Sequence, residues 1–426
     1  MPSAFSFLHA ADIHLDSPLR GLARREKEHA RAFLDASRRA LENLVAAAVA
    51  EKVAFVLIAG DVYDGDWKDF ATGQFFVRQM GLLGRAGIRV FMIRGNHDAA
   101  SVMSRDLPLP DNVRLLSDTA VESVALPELG VVLHGRGFAE RAEAVNLARD
   151  YPAAVAGQFN IGLLHTSLTG RDGHNTYAPC TVEDLVRAGY DYWALGHIHR
   201  REVVNAQPAI VFPGNLQGRH ARESGPKGAT LVRVADGRIT ALEALTLDAA
   251  RFAHQRLDLA GIADLADVTG LARAAIAEAA AEAGGRPLAL RLTFTGQTPL
   301  HGHFLASPEQ VAQDMQAHAY ETGADILIEK VRFETRAPGG AGDLGLPGFA
   351  DVLAEAAADP ALRADVAATL KELRAKIPSD VLEAMGLAGL DEAAMADAAL
   401  AAAGEEIAAR LSDPASGAAA GGEAER

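Results

Sequence analysis

The chain has 426 residues, 49% hydrophobic and 23% charged, enough for one large domain and one or two smaller ones. No stretch approaches the ~18 uninterrupted apolar residues of a membrane span, no basic, apolar leader opens the chain, and the single cysteine, Cys180, excludes an internal disulfide, so a reducing cytoplasm is expected, with Cys180 as packing. The net charge of −15 is uneven: residues 1–250 carry 27 Lys+Arg against 29 Asp+Glu, and residues 251–426 only 14 against 27, which excludes a simple basic nucleic-acid binder.

In chain order, Ser6–His9 reads as a strand, and residues 30–50 repeat Phe33, Leu34, Leu41, Leu44 and Val45 at helical spacing. Val53–Ala59 is a fully apolar run closed by glycine, as buried strands are. A helix is expected over 75–83 and strands over 88–94, 131–134, 160–165 and 190–195. Residues 202–246 read as several strands joined by tight turns at Gly225-Pro226 and Asp236-Gly237. The alternation suits an α/β core of two packed sheets covered by helices rather than one parallel sheet. Residues 1–250 are therefore assigned to one domain. From 251 to 336 the order strand, Ala-rich helix, strand, helix, strand suggests a small α+β unit. Residues 337–346 read as a Gly-rich linker, 347–411 as helices and 412–426 as a disordered tail.

Chemistry concentrates in five clusters, each at the end of an expected strand: Asp12-Ile-His14, Gly60-Asp61, Gly95-Asn96-His97-Asp98, His165, and Gly196-His197-Ile-His199. Carboxylate, amide and imidazole together suit Mn²⁺, Fe²⁺ or Zn²⁺ better than Mg²⁺ or Ca²⁺, which prefer oxygen alone. Residues two apart on extended backbone share a face, so Asp12 with His14, and His197 with His199, can serve one ion or two neighbours. Each cluster alone has a bland explanation as a turn or a core histidine; the ordered set of five argues against chance.

This order of motifs resembles that of the calcineurin-like metallophosphoesterases. The resemblance implies a four-layer α/β/β/α sandwich with two divalent ions, the first held by Asp12, His14 and His199, the second by Asn96, His165 and His197, with Asp61 bridging. It makes His97 the catalytic group facing the phosphate, oriented by Asp98. The continuation Asp61-Val-Tyr-Asp64 lacks the arginine of the serine/threonine phosphatases. Residues 4–240 instead resemble SbcD-like DNA exonuclease subunits of the YhaO type, through Leu8–Pro18, Ile58–Lys68, Leu163–Leu168, Tyr190–His199 and Phe212–His220.

That likeness implies a Mn²⁺-dependent DNA phosphodiesterase acting in DNA repair, with 251–336 as a capping domain and 347–411 docking on a coiled-coil ABC-type ATPase of the SbcC/YhaN kind; it also admits a homodimer. Two other readings stay open, a phosphodiesterase of small nucleotides and a regulatory scaffold of an ATPase complex. Arg219 and His220 are candidate phosphate contacts. Asp16, Ser17, Trp67, Lys68, His134 and Arg136 either line the site or shape loops, His9 is expected to be buried in its strand, and His174, His254, His301 and His303 have no motif around them.

Overall fold

A computed structural model describes residues 4–17, 33–64, 70–100, 108–169, 177–338, 348–377 and 391–412. These divide into two compact units, one of residues 1–253, 280–290 and 324–329, the other of 254–279, 291–323 and 330–426.

The first unit is built on two six-stranded mixed sheets. In one, β1 (Ala4–Ala10), β2 (Phe55–Ala59), β3 (Arg89–Ile93) and β4 (Val113–Leu115) run parallel, and the antiparallel hairpin β11 (Gly228–Ala235) and β12 (Arg238–Thr246) is added beside β1. The other has the order β5 (Glu122–Leu126), β6 (Val131–Arg136), β7 (Phe159–His165), β8 (Tyr192–Gly196), β10 (Ala209–Phe212), β9 (Glu202–Ala206), parallel at its centre and antiparallel at both edges.

Strand periodicity turns Phe7, Phe55, Leu57 and Phe91 of the first sheet toward Leu133, Ile161, Leu163 and Tyr192 of the second, forming the core between them. The alternate residues Leu8, Val56, Ile58 and Val90 meet Leu41, Leu44, Phe76 and Met80 from helices α1 (Ala36–Ala50) and α2 (Phe70–Arg85). On the far side of the second sheet, Trp193, Leu195, Ile210 and Phe212 are covered by Phe138, Leu147, Leu185 and Tyr190. Among the described residues that outer layer holds one short helix, α4 (Val182–Arg187), and a 3-10 turn at Leu147–Asp150. A five-residue turn, α3 (Asn96–Ala100), follows β3.

Strands β13 (Arg251–Asp258), β14 (Leu288–Gln297) and β15 (Ile326–Arg336) form a three-stranded sheet in that order, and their N-terminal residues count with the first unit. The pairs Leu259 N–H to Thr295 O (2.8 Å) and Thr298 N–H to Arg336 O (2.9 Å) follow parallel strands. In the second unit, Phe294 and Phe333 stack on Phe304 of α6 (His301–Ala306), between α5 (Leu265–Ala283) and α7 (Pro308–Glu321) in the chain. The C-terminal helices are α8 (Phe349–Ala358), α9 (Pro360–Lys376) and α10 (Glu392–Ser412); α10 packs on α6 and α9 and buries Met395 and Ala396. No described helix is long and apolar enough to cross a membrane. Cys180 is buried in the outer core of the first unit, and the expected linker and tail lie mostly outside the described residues.

A candidate two-metal centre

Five strands end at one point. From the first sheet, the chain leaves β1 into Asp12 and His14, β2 into Asp61, and β3 into Asn96 and His97; from the second, β7 ends on His165 and β8 leads into His197 and His199. The loops are stitched by backbone bonds, Asp12 N–H to Gly60 O (3.0 Å) and His14 N–H to Asp61 O (3.0 Å). Of nine non-glycine residues with positive φ among those described, five are Asp12, His14, Asp16, Asp61 and His197. Left-handed backbone costs an ordinary residue roughly 1–2 kcal/mol, so its concentration here means the surrounding packing imposes the loop shapes. Gly95 is required on steric grounds: a Cβ there would stand 2.2 Å from Asp61 Oδ1.

Among the described residues the side chains form two groups at the centre, Asp12 with His14 and His199, and Asp61 with His165 and His197, and a third at the rim, His14 with Asp64 and His97. His14 Nε2 and His199 Nε2 are 3.2 Å apart, and His199 Nε2 lies 3.9 Å from Asp12 Oδ1. Asp61 Oδ2 stands 3.9 Å from His14 Nε2 and 3.5 Å from His165 Nε2, so one carboxylate oxygen faces both groups. Asn96 Oδ1 is 3.0 Å from His165 Nε2. His165 Nδ1 donates to Ala59 O at 2.9 Å, and His199 Nδ1 donates to Glu223 Oε1 at 2.6 Å; in both rings this leaves Nε2 as the nitrogen aimed into the site.

Burial pushes Asp12 up, to about 7, with the neighbouring Asp61 adding to the rise. Burial opposes Asp61's charge as well, but His165 and His14 hold its carboxyl below the usual range, while Asp61 in turn raises His165 to about 9 against burial. Burial keeps His14 neutral, near 4, and drives His199 down despite Glu223. Two buried carboxylates and neutral imidazoles facing one another through Nε2 form a donor set that divalent cations would complete, with His14 Nδ1 turned away toward Asp64 Oδ1 at 3.6 Å.

His97 lies at the rim. Its Nδ1 is 2.9 Å from Asp64 Oδ1 and its backbone N–H donates to Asp61 Oδ1 at 2.9 Å; the Asp64 hydrogen bond raises its pKa against burial. This corrects the expectation for Asp98. Its buried carboxylate accepts the N–H groups of Val62, Tyr63 and Gly95, each at 3.0 Å, so it joins the β2 and β3 loops while Asp64 holds the His97 ring.

Asp64 and Glu223 are the acidic residues that motif reading passed over. Glu223 is buried, and its Oε2 accepts Asn215 Nδ2 (2.9 Å) and Arg219 N (2.8 Å). Since a ligating histidine needs a partner on its second nitrogen, an acid just beyond the Arg219-His220 loop was the signal available. Arg219 comes to the site, with Nη1 3.9 Å from Asp64 and Nη2 3.3 Å from Glu223, and His220 Nε2 lies 3.6 Å from Glu223. Ser17 donates to Asp64 at 2.6 Å, and Asp16 is gripped by Arg38 and Thr72, so both shape the first loop. His134 bonds Ser123 and Asn160 and stacks on Tyr190, and Arg136 pairs with Asp150. His9 is fully buried in β1. Trp67, Lys68 and His174 lie outside the described residues.

Comparison with known proteins agrees with this geometry. Residues 5–201 match the calcineurin-like phosphoesterase family, and residues 252–336 match the middle domain of metallophosphoesterase YhaO. The chain is thus similar to the calcineurin-like phosphoesterases over residues 5–201 and to metallophosphoesterase YhaO over residues 252–336. It is 37% identical over 244 residues to an uncharacterized metallophosphoesterase YhaO of Bacillus subtilis, covering 56% of this chain and 60% of that protein. More distant are the DNA double-strand break repair proteins Mre11 of Sulfurisphaera tokodaii (25% over 263 residues; 58% of this chain, 64% of the other) and of Aeropyrum pernix (25% over 241 residues; 53% and 56%). The matches thus span less than two thirds of each of these relatives. The His/Asp clusters within the region matching the phosphoesterase family are suited to divalent ions.

Proposed function

We propose that Asp12, His14 and His199 hold one divalent ion, that Asn96, His165 and His197 hold a second with Asp61 between them, and that the enzyme hydrolyses phosphodiester bonds in DNA. The observation that carries this reading is the Asp61 carboxylate facing histidines of both groups, at 3.9 and 3.5 Å. A pair of ions there would supply a nucleophile at neutral pH and offset charge on the phosphate; the mixed N/O donors suit Mn²⁺, Fe²⁺ or Zn²⁺, of which we take Mn²⁺.

The chain's own residues do the rest. Asp64 on Nδ1 turns the other edge of His97 toward solvent, where it delivers a proton to the departing oxygen. Arg219, fixed by Glu223, presents a cation to a non-bridging phosphate oxygen. DNA as substrate, a role in repair and an ABC-type ATPase as partner draw support from the distant likeness to the Mre11 proteins, and Val352, Leu362 and Leu373 of α8 and α9 leave apolar surface for such a partner.

The test is hydrolysis of linear DNA and of bis-p-nitrophenyl phosphate by the Mn²⁺-loaded protein. His97→Ala is expected to abolish both with metal content unchanged. Cleavage of the small diester or of cyclic nucleotides, but not of DNA, would move the substrate class to small nucleotides. Full ATPase binding and normal cellular function of an inactive Asp61→Ala variant would make the chain a scaffold.

A further inference from the structure

The chain after residue 250 is strongly acidic, yet one surface of its small sheet is not. On the face of β13–β15 opposite the Phe294–Phe304–Phe333 stack, His254 donates to or accepts from Thr293 Oγ1 at 2.8 Å, and the charges that bear on it are Arg291, Arg256, Arg332 and Glu334. Arg256 Nη2 reaches Glu334 Oε2 (2.6 Å) across the middle strand, so first and third strands present this face together. Arg256 and Glu334 are exposed, and a hollow of about 590 Å³ runs on from them past Thr295 and Gln297 to Arg336. Asp258, further along β13, borders the same hollow beside Gly296 and accepts the N–H of Ala260 at 3.0 Å. Arginines (Arg256, Arg291, Arg332 and Arg336) thus outnumber carboxylates (Glu334 and Asp258) here four to two, in a stretch where acids outnumber bases 27 to 14.

We propose that this arginine face of the three-stranded sheet binds the phosphate backbone of DNA, a contact separate from the metal centre. The inference deepens the proposed function and rests on DNA being its substrate. Guanidinium forks matched to phosphate oxygens on a rigid sheet favour a repeated phosphodiester over a single anion. The threonine floor offers no base-stacking platform, so binding here is independent of sequence. Half-buried His254, kept uncharged by burial and by the three arginines, holds the centre of the face neutral.

The experiment measures affinity of the full-length protein for fluorescein-labelled duplex and single-stranded DNA by anisotropy, at several salt concentrations. The Arg256→Ala/Arg332→Ala double variant is expected to lower the slope of log K against log salt by about 2 for duplex, two phosphate contacts being removed. Glu334→Gln, which frees Arg256, is expected to tighten binding about two- to fivefold, a gain that misfolding cannot imitate. Both variants should hydrolyse bis-p-nitrophenyl phosphate like the wild type.

Unchanged affinity and slope in both, with diester hydrolysis intact, would overturn the DNA-binding face and leave the metal-site reading standing. Displacement of DNA by millimolar inorganic phosphate would overturn it too, by reducing the face to a simple anion site. If the wild type hydrolyses neither diester nor DNA, the proposed catalytic function falls, and the salt slope still decides the face.

Discussion

Glu223→Gln is the most discriminating single change at the metal centre. The glutamate receives four donors, His199 Nδ1 at 2.6 Å, Asn215 Nδ2 at 2.9 Å, the Arg219 backbone N–H at 2.8 Å and Arg219 Nη2 at 3.3 Å. The amide has the same shape but one acceptor oxygen, so at least one of these buried donors must face an NH₂ group. Either the His199 ring turns or its Nε2 becomes a weaker base, and loss of such a partner lowers metal affinity about 10–100-fold, or roughly 1.4–2.7 kcal/mol. His165 is untouched, since its Nδ1 is held by the backbone oxygen of Ala59. Metal content after dialysis against graded Mn²⁺ should therefore show one ion lost early and the second retained. Two ions bound as in the wild type, with a folded protein by circular dichroism, would refute the argument that Glu223 positions His199; loss of both together would refute the division into two groups.

Asp64→Asn removes the charge beside His97 Nδ1 and also that beside Nδ1 of the proposed ligand His14, 3.6 Å away; at Mn²⁺ concentrations where metal analysis finds both ions bound, kcat for bis-p-nitrophenyl phosphate should fall by about 10–100-fold, a typical cost for losing an acid–base or supporting group. His9 gives a stability prediction: its Nε2 donates to Leu195 O and its Nδ1 accepts from Tyr192, so the buried ring is neutral, with its pKa lowered to about 3 by burial. The unfolded chain binds a proton near pH 6.5 and the folded one does not, so stability is full above 6.5 and declines as pH falls toward 3. Between pH 8 and pH 5 this residue alone costs about 2 kcal/mol, and His9→Asn should remove that part of the pH dependence in urea unfolding of the metal-free protein.

Much of this was legible in the chain because it was written locally. Buried strands such as Val53–Ala59 are apolar runs, the amphipathic helices carry their period in sequence, and each motif sits within a few residues of its strand end. What escaped had no local signature. β4 and β5 are short edge strands with mixed exposure, and α6 is a six-residue helix whose reason for existing is Phe304 stacking on Phe294 and Phe333, contacts set by tertiary packing. Asp64 and Glu223 lie on irregular loops, where a carboxylate reads as a solvated turn until a histidine 33 or 24 residues away in sequence is brought against it. The Asp98 assignment failed for a related reason: adjacency in sequence suggested support for His97, whereas a carboxylate entering a tight turn meets backbone N–H groups first.

The site is shared between two sheets, so their spacing is part of its chemistry. Asp12, His14, Asp61 and Asn96 come from the first sheet and His165, His197 and His199 from the second, and the two sets meet only if the sheets pack at one distance. Gly196 sets that distance at the site end, since a Cβ there would stand 1.9 Å from Ala59 O of the opposite sheet. Gly162 is an equally tight position on the outer side of the second sheet, where a Cβ would fall 2.3 Å from the Trp193 ring. Gly196→Ala and Gly162→Ala should each destabilise the fold by about 1–3 kcal/mol through overpacking. The first must also part the two halves of the metal centre and lower metal content, while the second, straining only one sheet against its outer cover, should keep both ions. Equal metal loss at equal destabilisation would mean that global stability, not the inter-sheet gap, governs the site.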